Sequence, residues 1–215
     1  MSQNEPNRML DMAQSGVLQY LFPTPVFCYV LRDADALNAE LHDLILEKER
    51  TTPSVDKSNL GGWQSQVDFF EWDAPAVATL QRYLAGAVEI ATSRLPIPPN
   101  LKMQFDLYAW AAVNRKGHYN TSHVHPSATW SGVYYVDPGD ETPDAPGAFL
   151  ELAHPIMAAV MSFFPGVLPH ALTVRPESGM IILFPSYLVH SVRLYHGERP
   201  RICVPFNAHV RRSGA

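Results

Sequence analysis

The sequence predicts a mainly β fold with flanking α-helices and a jelly-roll core. Three observations carry that prediction. From Met103 onward, short β-branched and aromatic runs recur, divided by Gly, Pro, Asp and Asn. Two segments in the first hundred residues instead repeat their apolar residues at helical spacing. Finally, 215 residues with 47% hydrophobic and 17% charged content suit one domain that can bury a substantial core. We read residues 1–215 as a single domain. Residues 1–100 form a mixed part whose two helices pack on the core, and residues 101–212 form the jelly roll.

In chain order, "LFPTPVFCYVL" (Leu21 to Leu31) predicts the first strand. Leu37, Leu41, Leu44 and Ile45 predict a helix from about Ala34 to Arg50, with Asp33 placed to cap it. "GGWQS" (Gly61 to Ser65) reads as a surface turn, although so polar a stretch beside a tryptophan would also suit a site. A second helix is predicted from about Pro75 to Leu95, with Asp73 as cap and Pro75 in its first turn. Its buried stripe is Val77, Leu80, Leu84, Val88 and Ala91. Then come "MQFDLYAWAAV", "TWSGVYYV", "GAFLEL", "AVMSFF", "HALTV", "GMIILF", "YLVHSVRLY" and "RICVPFNAHV". About eight short strands at this spacing suit a jelly roll, which closes two sheets around an interior.

Composition narrows the function. A net charge of −5, with no Lys/Arg cluster longer than "VRRS", argues against a nucleic-acid partner. The start "MSQNEPNRMLDMAQSG" lacks the pattern of a secretory signal, and the most apolar stretch, Ile156 to Leu168, is too short to span a bilayer. Cys28 and Cys203 make no disulfide framework and suit free thiols in a reducing cytoplasm. The expectation is a soluble cytoplasmic protein with no membrane partner. Gly-x-Gly-x-x-Gly, Walker-type and Gly-x-Ser-x-Gly motifs are absent from the sequence, which lowers nucleotide-dependent and serine-hydrolase readings.

The chemistry concentrates in "HVHPSATWSGVYYV". On a strand, residues i and i+2 share a face, so His123 and His125 can both look inward and grip one ion. The bland alternative is one solvent-facing histidine and one in a polar core contact. His190 shifts the balance, because Leu188, Val189 and Val192 surround it with residues that want burial. In "RLYHGERPRICVPFN", Gly197-Glu198 suits a two-residue turn that pairs His196 with Arg199. That register puts His190, Val192 and Leu194 on one face with Arg201, Cys203, Pro205 and Asn207. An inward arginine set back from a metal suits a short dicarboxylate chelating at one end and paired with the guanidinium at the other. Tyr108, Trp110 and Asn114 share a face and either line the mouth or fill the core. His118, His154, His170, His196 and His209 read as loop or surface histidines.

"HVHPSATWSGVYYV", "GMIILFPSYLVHSV" and "RPRICVPFN" resemble the iron(II)/2-oxoglutarate-dependent oxygenase superfamily. Within it they are most similar to a bacterial and phage family marked by His-x-His-Pro, Ser-Gly-Val-Tyr-Tyr, Phe-Pro-Ser-x-Leu-x-His and a terminal Arg-Ile…Phe-Asn. The resemblance is strong from about Trp110 to Asn207 and weaker at "LFPTPVF" and "GGWQS". It implies a double-stranded β-helix, with iron(II) held by His123 and His190 and the far carboxylate of 2-oxoglutarate held by Arg201. Tyr135 matches a tyrosine that helps hold that carboxylate; a core aromatic is its alternative reading. Asn207 shares the inward face on the side away from Arg201, and completes the candidate cofactor-binding set.

Two departures follow. His125 stands where the superfamily usually has a carboxylate, so the metal has three histidines, or Glu151 or Asp137 reaches in, or a different metal binds. His154-Pro155 stands where relatives tend to show Asp-Pro-Arg. The resemblance implies an Fe(II)- and 2-oxoglutarate-dependent oxygenase, a hydroxylase of a small-molecule or peptide substrate that the motifs do not name. The rivals are a cupin-like three-histidine dioxygenase or isomerase that uses no 2-oxoglutarate, and a non-catalytic metal- or ligand-binding jelly roll.

Overall fold

The computed structural model describes residues 24–96, 103–140, 148–162 and 169–212. In chain order the first half holds β1 (Phe27–Val30), α1 (Asp35–Thr51), β2 (Asn59–Leu60), β3 (Trp63–Gln64) and α2 (Pro75–Ser93). Next come β4 (Met103–Ala109), β5 (Ala112–Asn114), β6 (Tyr119–His123), β7 (Trp130–Asp137), β8 (Leu150–Ala153) and α3 (Met157–Ser162). The chain finishes with β9 (Ala171–Val174), β10 (Met180–Pro185), β11 (His190–Val192) and β12 (Arg201–Arg212).

Among the described residues these strands make two antiparallel sheets. The larger has seven strands in the order β1-β10-β7-β12-β5-β3, with β4 also on β12; the smaller has five, β2-β6-β11-β8-β9. The predicted β architecture with flanking helices is what forms. Strands β1, β2 and β3 come from the first hundred residues and are woven into both sheets.

Strand alternation explains where the two cores sit. On β7 and β12, Tyr134, Val136, Ile202, Val204, Phe206 and Ala208 face the helices and join Leu41, Ile45, Leu80, Leu84 and Val88 in the main core. The opposite face carries Tyr135 and Cys203, which pack with Leu150, Leu152, Ile182, Phe184 and Leu188 between the sheets. The Tyr134 hydroxyl donates to Asn38 on α1, and Trp130 Nε1 donates to Thr92 Oγ1 on α2 at 3.0 Å. Both bonds tie a helix to β7. Of the predicted α1 stripe, Leu41 and Ile45 are fully buried while Leu37 and Leu44 pack at its margin.

Several expectations need correction. The first strand is only Phe27–Val30, and residues 21–23 of the predicted run lie outside the described residues. Asp33 does not cap α1: it takes a left-handed conformation (φ 56°) in the turn after β1, and the N-cap is Ala34, which makes no side-chain bond. Asp73 does not cap α2 either. The N-cap is an extended Ala74, because Pro75 at the first helical position forces extension before it and has no N–H to satisfy. "AVMSFF" is not a strand where it is described: Met157–Ser162 is helical, and residues 163–164 lie outside the described residues. A short apolar run does not by itself separate strand from helix. The long run at Met103 breaks into β4 and β5 because Pro205 of β12 accepts the Trp110 N–H at 3.1 Å but has none to return.

The largest correction concerns the predicted hairpin. β11 and β12 do not pair: β11 lies between β6 and β8 in the small sheet, while β12 pairs with β4, β5 and β7 in the large one. Residues 193–200 cross from one sheet to the other, pinned by fully buried Tyr195, whose hydroxyl donates to the Arg199 carbonyl at 2.6 Å. Gly197 makes room for that ring rather than a two-residue turn, since a Cβ there would come within 2.3 Å of the Tyr195 hydroxyl. Leu194, predicted inward, is exposed. Cys28 is exposed and Cys203 buried, and both are free thiols. Among the described residues no helix is long and apolar enough to cross a membrane.

Candidate metal centre

The centre forms where β6 and β11 meet. His190 lies directly opposite His123, and the register then slips so that Val192 faces Asn120, a bulge that bends the pair at this point. The chain leaves β6 after His123, so His125 is not on a strand as predicted. Its backbone N–H instead donates to the Ser186 carbonyl at 3.1 Å, which turns the ring back toward the other two. Ring centroids stand 4.2 Å apart for His123–His190, 5.0 Å for His123–His125 and 5.1 Å for His125–His190. One ring nitrogen from each lies within 4.8 Å of the others.

The surroundings set the state of each ring. His123 Nδ1 is 2.8 Å from the Thr121 carbonyl, and His190 Nδ1 is 2.8 Å from the Leu188 carbonyl. A carbonyl only accepts, so both Nδ1 atoms carry the proton and both Nε2 atoms offer a lone pair. Ser58 Oγ lies 3.4 Å from that His123 Nε2. His125 Nδ1 faces the Asn207 amide at 3.4 Å. Burial, reinforced by the neighbouring His123 ring, holds the His190 pKa down at about 3 and that of His125 at about 4. Burial also lowers His123, against the raising effect of the Thr121 carbonyl. All three are neutral imidazoles near pH 7, the form that binds metal.

These rings line a pocket of about 620 Å³ between the sheets. Along β12 the inward side chains are Arg201, Cys203, Pro205 and Asn207, the set expected from the sequence. The predicted hairpin register does not form, yet the parity survives because all four lie on one strand. Arg201 is only 2% exposed, its guanidinium stands 5.2 Å over the Tyr135 ring, and Nη1 lies 3.5 Å from Cys203 Sγ. The Tyr135 hydroxyl is fully buried beside it, without a regular hydrogen bond among the described residues. Burial pushes its pKa up to about 12, against the pull of Arg201. Tyr108, Trp110 and Asn114 also line the pocket, and the Trp110 ring lies 5.8 Å from that of His125.

Neither distant carboxylate reaches the histidines. Leu150 lines the pocket, so Glu151 beside it on β8 points the other way and pairs with Arg193. Asp137 receives the Gly139 N–H and pairs with Arg199. Among the described residues the cluster is three histidines and no carboxylate. His118, His154, His170, His196 and His209 are absent from the pocket wall.

Gln64 and Ser131 are among the lining residues that the sequence pattern did not single out. Gln64 in "GGWQS" is buried on β3 and faces the pocket, so this segment is not a surface turn. Its partner strand approaches so closely that a Cβ on Gly62 would meet Asn114 Oδ1 at 2.7 Å. Ser131 on β7 lines the pocket too and donates to Asn207 Oδ1 at 2.7 Å. It could have been found, because the alternation that turns Tyr135 inward turns Ser131 inward as well.

Three neutral imidazoles facing one point suit a divalent transition metal. A buried guanidinium elsewhere in the same pocket suits a carboxylate. Comparison with known proteins agrees. Residues 108–207 match the family described as "Putative 2OG-Fe(II) oxygenase". No curated protein matches the chain by sequence. Among solved structures, the fold resembles a Pseudomonas putida prolyl-4-hydroxylase at TM-score 0.63 and 15% identity, covering 86% of this chain and 92% of that one. It also resembles HygX from Streptomyces hygroscopicus, solved with nickel and 2-oxoglutarate, at TM-score 0.58 and 15% identity, covering 86% and 83%. A viral collagen prolyl hydroxylase from Paramecium Bursaria Chlorella virus-1, in its 2-oxoglutarate complex, aligns at TM-score 0.53 and 14% identity, covering 85% and 94%.

Proposed function

We propose, from the premise that the chain belongs through residues 108–207 to the 2OG-Fe(II) oxygenase family, that it hydroxylates a small molecule or a peptide and that its iron rests on three histidines. One observation carries the residue assignment. Ring nitrogens of His123, His125 and His190 converge within 4.8 Å in the same pocket that buries Arg201 and the Tyr135 hydroxyl.

The residues fit the cofactors. His123 and His190, with Nδ1–H bonded to backbone carbonyls, offer Nε2 to a metal, and His125 can join them when its proton sits on Nδ1. Arg201 with the Tyr135 hydroxyl offers donors to the far carboxylate of 2-oxoglutarate. The Tyr135 hydroxyl, buried without a regular bond among the described residues, would donate to that carboxylate. When bound, iron(II) and 2-oxoglutarate supply the coupled chemistry in which dioxygen oxidises the keto acid to succinate and carbon dioxide and hydroxylates a substrate C–H bond. The chain's own part is geometric. His123, His125 and His190 fix the metal's position; Arg201 and Tyr135 fix the dicarboxylate's orientation. Phe184, whose ring lies 4.8 Å from that of His190, and Leu150 keep the floor apolar and exclude water. Trp110, Tyr108 and Asn207 stand on the side where substrate meets the metal.

The test is an anaerobic incubation with iron(II) and 2-oxoglutarate, followed by an oxygen pulse and an assay for succinate. Stoichiometric succinate is the expected result. Oxygen uptake without succinate would point to the three-histidine enzyme that uses no 2-oxoglutarate. Metal binding with neither would leave a non-catalytic jelly roll.

A further inference from the structure

His123 and His190 owe their ligand-competent tautomer to the backbone, but His125 does not. Its Nδ1 faces a side-chain amide, and an amide has an accepting end and a donating end. We propose that Asn207, steadied by Ser131, sets the tautomer of His125 and thereby its capacity to bind metal. This positioning role rests on the reading of His125 as the third ligand.

The amide presents Oδ1 to Ser131 Oγ at 2.7 Å and Nδ2 to His125 Nδ1 at 3.4 Å. With nitrogen facing the ring, Nδ1 must accept, so a neutral His125 carries its proton on Nε2. That places an N–H where His123 and His190 offer lone pairs, and the ring cannot coordinate. A half-turn of the amide about its terminal torsion exchanges Oδ1 and Nδ2 and leaves the other heavy atoms in place. Oδ1 then accepts from His125 Nδ1–H, and Nε2 becomes a ligand like the other two. Ser131 tolerates both states, because a hydroxyl that donates to Oδ1 can equally accept from Nδ2. The three groups therefore form a relay with two hydrogen-bonded arrangements, and metal capture selects one. Asn207 and Ser131 are each 2% exposed, so water does not stand in for either partner. The relay leaves the reaction's atoms alone; it decides whether the third ligand is available.

The experiment reads the imidazole nitrogens directly. Long-range ¹H–¹⁵N spectra of the metal-free protein distinguish a protonated Nδ1 from a protonated Nε2, and Zn(II) serves as a diamagnetic probe. Wild type should show His125 with Nε2 protonated, changing on Zn(II) addition to Nδ1 protonated with Nε2 coordinated. Asn207→Asp offers only acceptors, so its His125 should be Nδ1-protonated before metal is added, and Zn(II) should bind about tenfold more tightly. Asn207→Leu removes the relay and should weaken Zn(II) binding about ten- to a hundredfold. Ser131→Ala is the milder variant should the leucine not fold, and it should leave His125 a mixture of tautomers. One His125 tautomer common to the metal-free wild type and Asn207→Asp would overturn the proposal, as would equal Zn(II) affinity in all four proteins. A Zn(II)-induced shift confined to His123 and His190 would instead sink the ligand reading of His125, while the metal-free tautomer comparison still decides the role of Asn207.

Discussion

On the proposed reading His125 takes the place of the carboxylate that completes the usual two-histidine iron site, and a neutral ring there would give the site one negative charge fewer. Replacing it with alanine should release most of the metal, whereas His125→Asp should retain it because two histidines and one carboxylate make the common non-haem iron site. Metal content after desalting decides this, and an alanine variant that keeps its iron would return the third ligand to some other group. Arg201 makes a separable prediction. Arg201→Leu should weaken 2-oxoglutarate binding by about 2–4 kcal/mol, since a desolvated carboxylate loses its charged partner, with metal content unchanged. Titration of 2-oxoglutarate followed by calorimetry measures it; unchanged affinity would favour the enzyme that uses no 2-oxoglutarate. The histidines also set a pH dependence. His190 and His125 sit at about 3 and about 4 in the folded chain against an ordinary 6.5. As pH falls below 6.5 the unfolded chain takes up protons there and the folded chain does not, so the metal-free protein loses stability from about pH 6.5 down toward pH 3. Melting temperatures in chelator at pH 7.5 and 5 should show that slope, and His190→Asn should flatten it.

β12 is the element on which the site depends, because it alternates between Arg201, Cys203, Pro205 and Asn207 toward the pocket and Ile202, Val204, Phe206 and Ala208 toward the helices. Its neighbour β7 comes close enough that Gly132 is obligatory: a Cβ there would meet the Phe206 ring at 2.5 Å and the Ile182 carbonyl at 2.6 Å. The ring can swing aside but the carbonyl belongs to the ladder. Gly132→Ala should cost about 1–3 kcal/mol by overpacking, seen as a lower urea midpoint with an unchanged slope. A midpoint equal to wild type would mean that β10 and β12 spread at little cost. The inward set was readable in the sequence because parity along one strand needs only the strand itself. The partner of that strand was not readable: Gly197 resembles a hairpin glycine, and only the crossing chain shows that it clears space for Tyr195.

The two cores lie on opposite faces of the large sheet, and the whole molecule divides its labour accordingly. Leu80 of α2 is fully buried against the outer face, in a cluster that contains none of the three histidines. Leu80→Ala should therefore destabilise the fold by about 2–5 kcal/mol while the surviving folded protein binds metal with wild-type affinity. Thermal melting and metal titration below the melting point test the separation. A parallel loss of metal affinity would show that the helical layer shapes the site.

By itself the sequence determined what depends on local pattern. Helical spacing determined α1 and α2, strand alternation determined which residues of β12 share the inward face, and the motifs around His123, His125, His190 and Arg201 pointed to the candidate chemistry. Tertiary structure alone decided the pairings between distant segments. It set His190 opposite His123, placed β11 and β12 in different sheets, drew Gln64 into the pocket and brought Ser131 and Asn207 against His125. It also turned Glu151 outward to Arg193, so that among the described residues the cluster is three histidines without a carboxylate. The physical reason is range. Periodicity and parity follow from backbone geometry over a few residues, whereas strand partners are chosen by burying two whole sheets against each other, and short motifs contain no record of that choice.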